Sequence, residues 1–192
     1  MRIISGEFKG RKVKAVPGSG TRPTSDKIRE SIFNIIGPYF EGGTSLDLYG
    51  GSGALTIEGM SRGMAKAIVI DVDPKAVETI KENLDTLDLN DRVEVFRNDS
   101  YRALKALRKR RIKFSYVFLD PPYKKQKIKK EIEFLKENEL LEPAAVIVTE
   151  HDAMLKLPEQ IAGCVCLKHE QYNSTTAVTI YTNETEGEEL HE

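Results

Sequence analysis

From Thr44 onward the chain repeats one unit, a short apolar run rich in β-branched residues followed by a longer stretch with a single apolar face, and this alternation limits the possible folds more than any other feature. Ser45 to Tyr49, Ala67 to Ile70, Val93 to Phe96, Phe114 to Leu119 and Ala145 to Thr149 read as strands. Gly53 to Arg62, Tyr101 to Lys109 and Ile128 to Lys136 read as the helices between them. A further helix opens at Asp73-Pro74, an N-cap acid before a first-position proline, with Val77, Ile80, Leu84 and Leu87 as its buried stripe. Repeated βα units of this length predict a mostly parallel sheet with helices on both faces. The pattern changes at the end. Val165 to His169 and Ala177 to Tyr181 are two strands with no helix between them, so the sheet is expected to close with an antiparallel edge.

Before the repeat, Ile3-Ile4 and Val13 to Val16 flank Gly6 and Gly10 as a short β-hairpin. A two-stranded hairpin is marginal alone and must lean on the rest of the protein or on a ligand. The glycine-rich loop Gly18 to Thr24 follows, and Thr24 or Ser25 then caps a helix running to Ile36 that Gly37-Pro38 stops. The expected organisation is an extension over 1–40, a main domain over 41–183 and a disordered acidic tail over 184–192. The formal net charge of −1 hides a segregation of charge along the chain. Residues 1–40 carry eight Lys and Arg against three acids, residues 102–113 carry seven with no acid, and the tail has five Glu. This asymmetry points to a polyanion-facing side, with Lys9, Arg11, Lys12, Arg22 and Thr24 as candidate phosphate contacts. No run approaches about 18 apolar residues and no signal-peptide pattern opens the chain, which reads as a soluble intracellular protein. Cys164 and Cys166 are wrongly spaced for a zinc or thioredoxin motif and read as reduced strand residues.

Two stretches carry chemistry. In Asp47-Leu48-Tyr49-Gly50-Gly51-Ser52-Gly53 a strand runs into a glycine turn and then a helix, so the backbone can approach a ligand closely. A dinucleotide fold wants a further glycine where Thr56 stands, and Asp47 repels a pyrophosphate at the helix N-terminus. S-adenosylmethionine carries an ammonium and a sulfonium instead, and for that ligand the acid is an asset. Asp71, with Val72 beside it, ends the second strand where a carboxylate grips ribose hydroxyls. Asp99, with Ser100, ends the third and can accept from the adenine amine. One such aspartate is more often a cap or turn residue, but acids at the ends of four successive strands indicate a site.

The fourth acid begins Asp120-Pro121-Pro122-Tyr123. The prolines have no N–H, so this turn presents a carboxylate and carbonyls with no competing main-chain donors. An exocyclic base amine is a weak nucleophile because its lone pair is conjugated into the ring. The Asp120 carboxylate and the Pro121 carbonyl, each accepting one of its hydrogens, bend it toward tetrahedral geometry while Tyr123 stacks on the base. The reaction indicated is methyl transfer to a base nitrogen.

Met1-Arg2-Ile3-Ile4-Ser5-Gly6, Thr21-Arg22-Pro23-Thr24, Arg29-Glu30-Ser31-Ile32-Phe33-Asn34, the glycine turn with Ser61-Arg62-Gly63, and Asp120 to Tyr123 together resemble the RsmD family of bacterial small-subunit ribosomal RNA guanine-N2 methyltransferases. The resemblance runs over nearly the whole chain. It implies a class I, Rossmann-like α/β fold with a seven-stranded sheet, S-adenosylmethionine as cofactor, no metal, a monomer acting in the cytoplasm, and small-subunit rRNA or the assembling subunit as partner. It also implies Asp47, Gly50 to Gly53, Asp71, Val72, Asp99 and Ser100 as cofactor contacts, Asp120 to Tyr123 as the catalytic corner and the basic N-terminal region as the RNA grip. Gly50 stands where the family often has alanine, and Asp71 where a longer glutamate is common. A DNA or RNA adenine-N6 methyltransferase shares the tetrapeptide, a non-catalytic RNA-binding module shares the basic hairpin, and an NAD-dependent oxidoreductase is disfavoured by Thr56 and Asp47.

Overall fold

Backbone pairing orders the strands, and the alternation of their side chains divides the core between the two faces of the sheet. The computed structural model describes residues 1–18 and 24–185, so Arg22 and most of the acidic tail lie outside the described residues. Five strands, β1 (Thr44–Asp47), β2 (Lys66–Asp71), β3 (Val93–Arg97), β4 (Phe114–Leu119) and β5 (Leu141–Asp152), run parallel in the order β3-β2-β1-β4-β5. Three more continue the sheet antiparallel. β8 (Thr176–Asn183) pairs with β5, β7 (Cys164–Gln171) pairs with β8, and β6 (Gln160–Ile161) lies at the edge. The described residues therefore form eight strands where seven were expected. The additional one, β6, is two residues long and leaves no periodicity in the sequence.

Five helices cover the two faces: α1 (Asp26–Ile36), α2 (Ala54–Ser61), α3 (Pro74–Thr86), α4 (Ser100–Arg110) and α5 (Ile128–Glu137). Consecutive strand residues point to opposite faces. Val69, Phe118 and Val148 accordingly join one apolar cluster with Ile32 and Phe33 of α1, Ile57 of α2 and Ile80 and Leu84 of α3. Their neighbours Ile68, Ile70, Val117, Leu119 and Ile147 join the other, with Leu104 and Leu107 of α4 and Ile132 and Leu135 of α5. Ser25 caps α1 by accepting from the Ile28 N–H, and Asp73 caps α3 ahead of Pro74.

The N-terminal segment is reduced from the expected hairpin to one antiparallel bridge, Arg2 opposite Lys12, held by Ile3 N–H to Arg11 O (2.9 Å), Gly10 N–H to Ile3 O (2.8 Å) and Val13 N–H to Met1 O (2.8 Å). It leans on α2 and α3 instead of extending into a longer ladder. Ile3 and Val13 lie in the same cluster as Ile57 and Met60. Gly6 makes this docking possible, because a Cβ there would lie 2.0 Å from the Ser61 carbonyl oxygen, and its φ of 92° is one that L side chains rarely adopt.

Beneath this contact Glu58 of α2 is fully buried and serves three partners. Its Oε1 accepts from the Ile4 N–H at 2.8 Å, while the Nε atoms of Arg29 and Arg62, themselves buried, lie 3.6 and 3.7 Å from its carboxylate. Arg29 also donates to the Arg2 carbonyl and to Asp26, and Arg62 stacks 5.1 Å from the centre of the Phe33 ring. One carboxylate thus fastens the N-terminal segment, α1 and α2 together. Glu58→Ala is expected to strand two buried guanidinium groups and lower stability by about 3–5 kcal/mol. Urea denaturation of the variant, with a change below about 1 kcal/mol, would show that the cluster is not a fastening.

Candidate active site

The strand order reverses between β1 and β4, where β1 turns to β2 on one side and β4 to β5 on the other. In such a sheet the crevice outside the carboxyl ends at the reversal is where ligands bind. Asp47 is the last residue of β1 and Asp120 the first after β4. The expected cofactor stretch and the expected catalytic corner therefore flank one crevice.

Asp47 is 1 % exposed. It accepts from the Tyr49 N–H (3.1 Å) and, at 3.4 Å, from the Thr56 hydroxyl, the residue standing where a dinucleotide fold wants glycine. Burial pushes its carboxyl up to about 7. From here the chain bends toward β2, with the Gly50 N–H bonded to the Ile70 carbonyl (2.8 Å). A Cβ on Gly50 would come within 2.3 Å of Val69 Cγ1, a stiff β-branched atom, which is why glycine and not alanine occupies this position. Gly51 and Gly53 take left-handed φ values of 58° and 85°, and α2 begins after Gly53.

Asp71 accepts from the Gly51 N–H (2.8 Å) and the Asp73 N–H (2.9 Å), so the carboxylate at the end of β2 holds the glycine turn as well as facing the crevice. Burial raises its carboxyl above the usual range. Beside it Val72 is 67 % exposed, an apolar shelf of the kind an adenine ring covers. Asp99 caps α4 through Oδ1, accepting from the Tyr101 and Arg102 N–H groups at 3.1 Å each. Ser100 lies 3.2 Å from the Tyr49 hydroxyl. Together these side chains suit S-adenosylmethionine. The desolvated Asp47 carboxylate would suit an ammonium, and the Asp71 carboxylate with the open Val72 shelf would suit a nucleoside.

At the other wall Tyr123 opens a single 3₁₀ turn (Tyr123–Lys125), and the Pro122 carbonyl is used in closing it, accepting from the Lys125 N–H at 3.0 Å. Pro121 is buried and Pro122 exposed. The half-buried Tyr123 phenol donates to Thr176 Oγ1 of β8 at 3.3 Å, which tethers the tip of its ring. Asp120 carries the strongest perturbation of the corner: burial first, then the negative charges of Glu150 and Asp47, raise its carboxyl well above the ordinary range.

Thr24, expected at a phosphate, points inward instead, its hydroxyl 2.8 Å from Glu150 Oε2 and 3.4 Å from Asp120 Oδ2. Lys9 and Lys12 are exposed. Arg11 is exposed too, but its guanidinium is engaged at the C-terminus of α3, donating to the Thr86 carbonyl at 3.0 Å. Two acids at the site were not anticipated. Glu150 follows its predicted strand as directly as Asp120 follows its own, and that position was the available signal. Glu131 of α5, buried among its apolar stripe, accepts from the Tyr49 hydroxyl at 2.6 Å and is pushed up to about 7 by burial. Nothing in its local sequence separates it from a surface glutamate.

Sheet order, glycine turn, strand-end acids and acceptor corner together define a Rossmann-like methyltransferase of the S-adenosylmethionine-dependent class. The family described as Conserved hypothetical protein 95 matches residues 1–182, and the chain belongs to it, the RsmD family. A Bacillus subtilis protein, YlbH, whose name gives it provisionally as an rRNA methyltransferase, is 51 % identical over 181 residues, covering 94 % of this chain and 98 % of that one. The Escherichia coli protein named ribosomal RNA small subunit methyltransferase D is 32 % identical over 188 residues, 98 % and 92 % of the two chains. A solved Escherichia coli structure described provisionally as the methyltransferase yhhF superposes with a TM-score of 0.81 at 30 % identity, covering 96 % of this chain and 98 % of that one.

Because the free Asp47 carboxyl holds a proton until about pH 7, a ligand ammonium that pairs with its ionised form must displace that proton. Affinity for S-adenosylmethionine is therefore expected to rise as pH increases from 6 to about 7.5, before the ligand's own amine begins to titrate. Asp47→Asn should weaken binding by about 1–3 kcal/mol and abolish the slope. Calorimetry in two buffers of different ionisation enthalpy reads the released proton directly, and a pH-independent affinity in the unsubstituted protein would remove Asp47 from the ammonium site.

Proposed function

We propose that the chain transfers a methyl group from S-adenosylmethionine to the exocyclic N2 of a guanine in small-subunit (16S) ribosomal RNA, in the cytoplasm, as a monomer. The observation that carries this reading is the acceptor corner, Asp120 beside the donor-free Pro121-Pro122 turn, set across one crevice from Asp47 and the glycine turn. Among the described residues no hydrogen bond is made to the Pro121 carbonyl, so it and Asp120 are available to the two hydrogens of a planar amine. The name of the Escherichia coli relative supports ribosomal RNA as the acceptor.

When bound, S-adenosylmethionine supplies an electrophilic methyl carbon on a sulfonium. The chain's own residues do the rest. Asp120 and the Pro121 carbonyl draw the amine hydrogens out of the base plane, and the developing positive charge on nitrogen meets a buried acidic wall. Tyr123, its tip tethered by the bond to Thr176, stacks on a base that must be unpaired or flipped out to reach it. Residues 1–40 serve as the RNA grip, with Lys9, Lys12 and Arg22 on phosphate. These contacts position without reading sequence, so the shape of a folded RNA surface selects the target, and an assembling subunit is a better substrate than naked RNA.

Methyl-labelled S-adenosylmethionine offered with DNA, free rRNA and small subunits from a strain lacking the enzyme, followed by nucleoside analysis, tests the reading. N2-methylguanosine on the subunit is the expected product, and N6-methyladenosine or a methylated DNA base would replace the reading with an adenine methylase. Asp120→Ala is expected to lower turnover at least about 100-fold with cofactor affinity nearly intact, since the acceptor acts as charge develops. A loss of affinity at unchanged maximal rate would overturn the acceptor role.

A further inference from the structure

Amine methylation leaves a proton to be placed. The lone pair on nitrogen forms the N–CH₃ bond while the S–CH₃ bond breaks with its electrons going to sulfur, and the nitrogen then carries one hydrogen too many. The Pro121 carbonyl cannot keep that proton, so it passes to Asp120. What stands behind Asp120 decides where it goes next.

Three elements converge there. Asp120 follows β4, Glu150 lies in β5 opposite Val178 of β8, and Thr24 precedes α1. The Thr24 hydroxyl donates to Glu150 Oε2 at 2.8 Å and faces Asp120 Oδ2 at 3.4 Å. The two carboxyl groups thus meet at a single hydroxyl, whose one hydrogen can serve only one of them fully. Glu150 is 8 % exposed. Among the described residues, the groups that face the pair are neutral or acidic: Asp47 from β1, the Tyr123 phenol, with Asp152 of β5 beyond it, and Thr24. Among the described residues neither carboxyl has an ion-pair partner. Two desolvated carboxylates that meet at one hydroxyl, with no cation beside them among the described residues, resist ionising together, so the pair is expected to hold one proton at neutral pH.

We infer that Glu150 is a positioning residue that shares this proton with Asp120 and takes up the one displaced from the methylated amine. Asp120 Oδ2 is turned toward Thr24 and Glu150, and Oδ1 remains for the amine. The surplus proton arrives on Oδ1 as the proton on Oδ2 passes to the Thr24 oxygen and the Thr24 hydroxyl proton passes to Glu150 Oε2. Asp120 is a neutral acid before and after, Glu150 passes from carboxylate to acid, and exchange with solvent resets it. Thr24 fixes the Glu150 carboxylate in line. The inference rests on the amine-methylation reading above, and nothing in it depends on which base is the acceptor.

Carbon-13 titration of aspartate and glutamate carboxyls needs no substrate and tests the pair even if the rRNA reading fails. The unsubstituted protein should show two coupled steps, the upper one above the ordinary carboxylate range. Glu150→Gln, which keeps an acceptor for Thr24, should leave Asp120 a single step lying between those two, while Thr24→Val should retain both steps. Independent titration of both carboxyls in the ordinary range would overturn the shared proton. The acid limb of the single-turnover methyl-transfer rate, measured on whichever nucleic acid the enzyme methylates, should move up to the single step in Glu150→Gln, with cofactor affinity within about twofold and the limb restored in Glu150→Asp. An unmoved limb would reduce Glu150 to an anchor for Thr24.

Discussion

Negative charge buried at the point where strand order reverses is the constraint on which this structure turns. Asp47, Asp120 and Glu150 occupy one desolvated region, and each is pushed toward its protonated form first by burial. A protein selected for stability alone has no reason to place three acids there. Amides or apolar residues of similar size would remove the desolvation cost. On the proposed reading the arrangement becomes favourable when positive charge arrives from outside, as an ammonium and sulfonium beside Asp47 or as a developing charge on an amine beside Asp120. The site is therefore complementary to bound and reacting states more than to the empty one.

The opposite solution appears one helix away. Glu58 is as buried as Asp47, yet two arginines and a backbone N–H surround it. The contrast is between a buried carboxylate with cationic partners and buried carboxylates without them. Glu58, with two arginines beside it, fastens elements together, whereas Asp47, Asp120 and Glu150 have no ion-pair partner among the described residues.

Much of this was legible in the sequence because it is local. Strand and helix alternation, the Ser25 and Asp73 caps, the glycine turn and the acids at strand ends all depend on residues within a few positions of one another. Even Thr56, read only as a missing glycine, marks the site, since its hydroxyl reaches Asp47. What was not legible is made by distant segments meeting. Thr24 and Glu150 are 126 residues apart, so a loop threonine that reads as a phosphate contact becomes the partner of a buried acid only once the N-terminal segment has docked. The Tyr49 to Glu131 bond spans 82 residues and is hidden in the same way. The hairpin failed for the converse reason: its residues have strand character, but side chains and carbonyls of α2 and α3 compete for its N–H groups and limit it to a bridge.

One of those competing side chains has a wider reach. Asn83 of α3 accepts from the Lys14 N–H at 2.9 Å, and through Nδ2 it donates both to the Lys14 carbonyl (3.0 Å) and to the Ser52 carbonyl in the glycine turn (2.9 Å). A single amide therefore stands between the basic segment and the loop that would meet the cofactor. Removing that amide would leave the Lys14 N–H and carbonyl and the Ser52 carbonyl without this partner at once, so the path of the basic segment and the path of the turn are set together by one side chain.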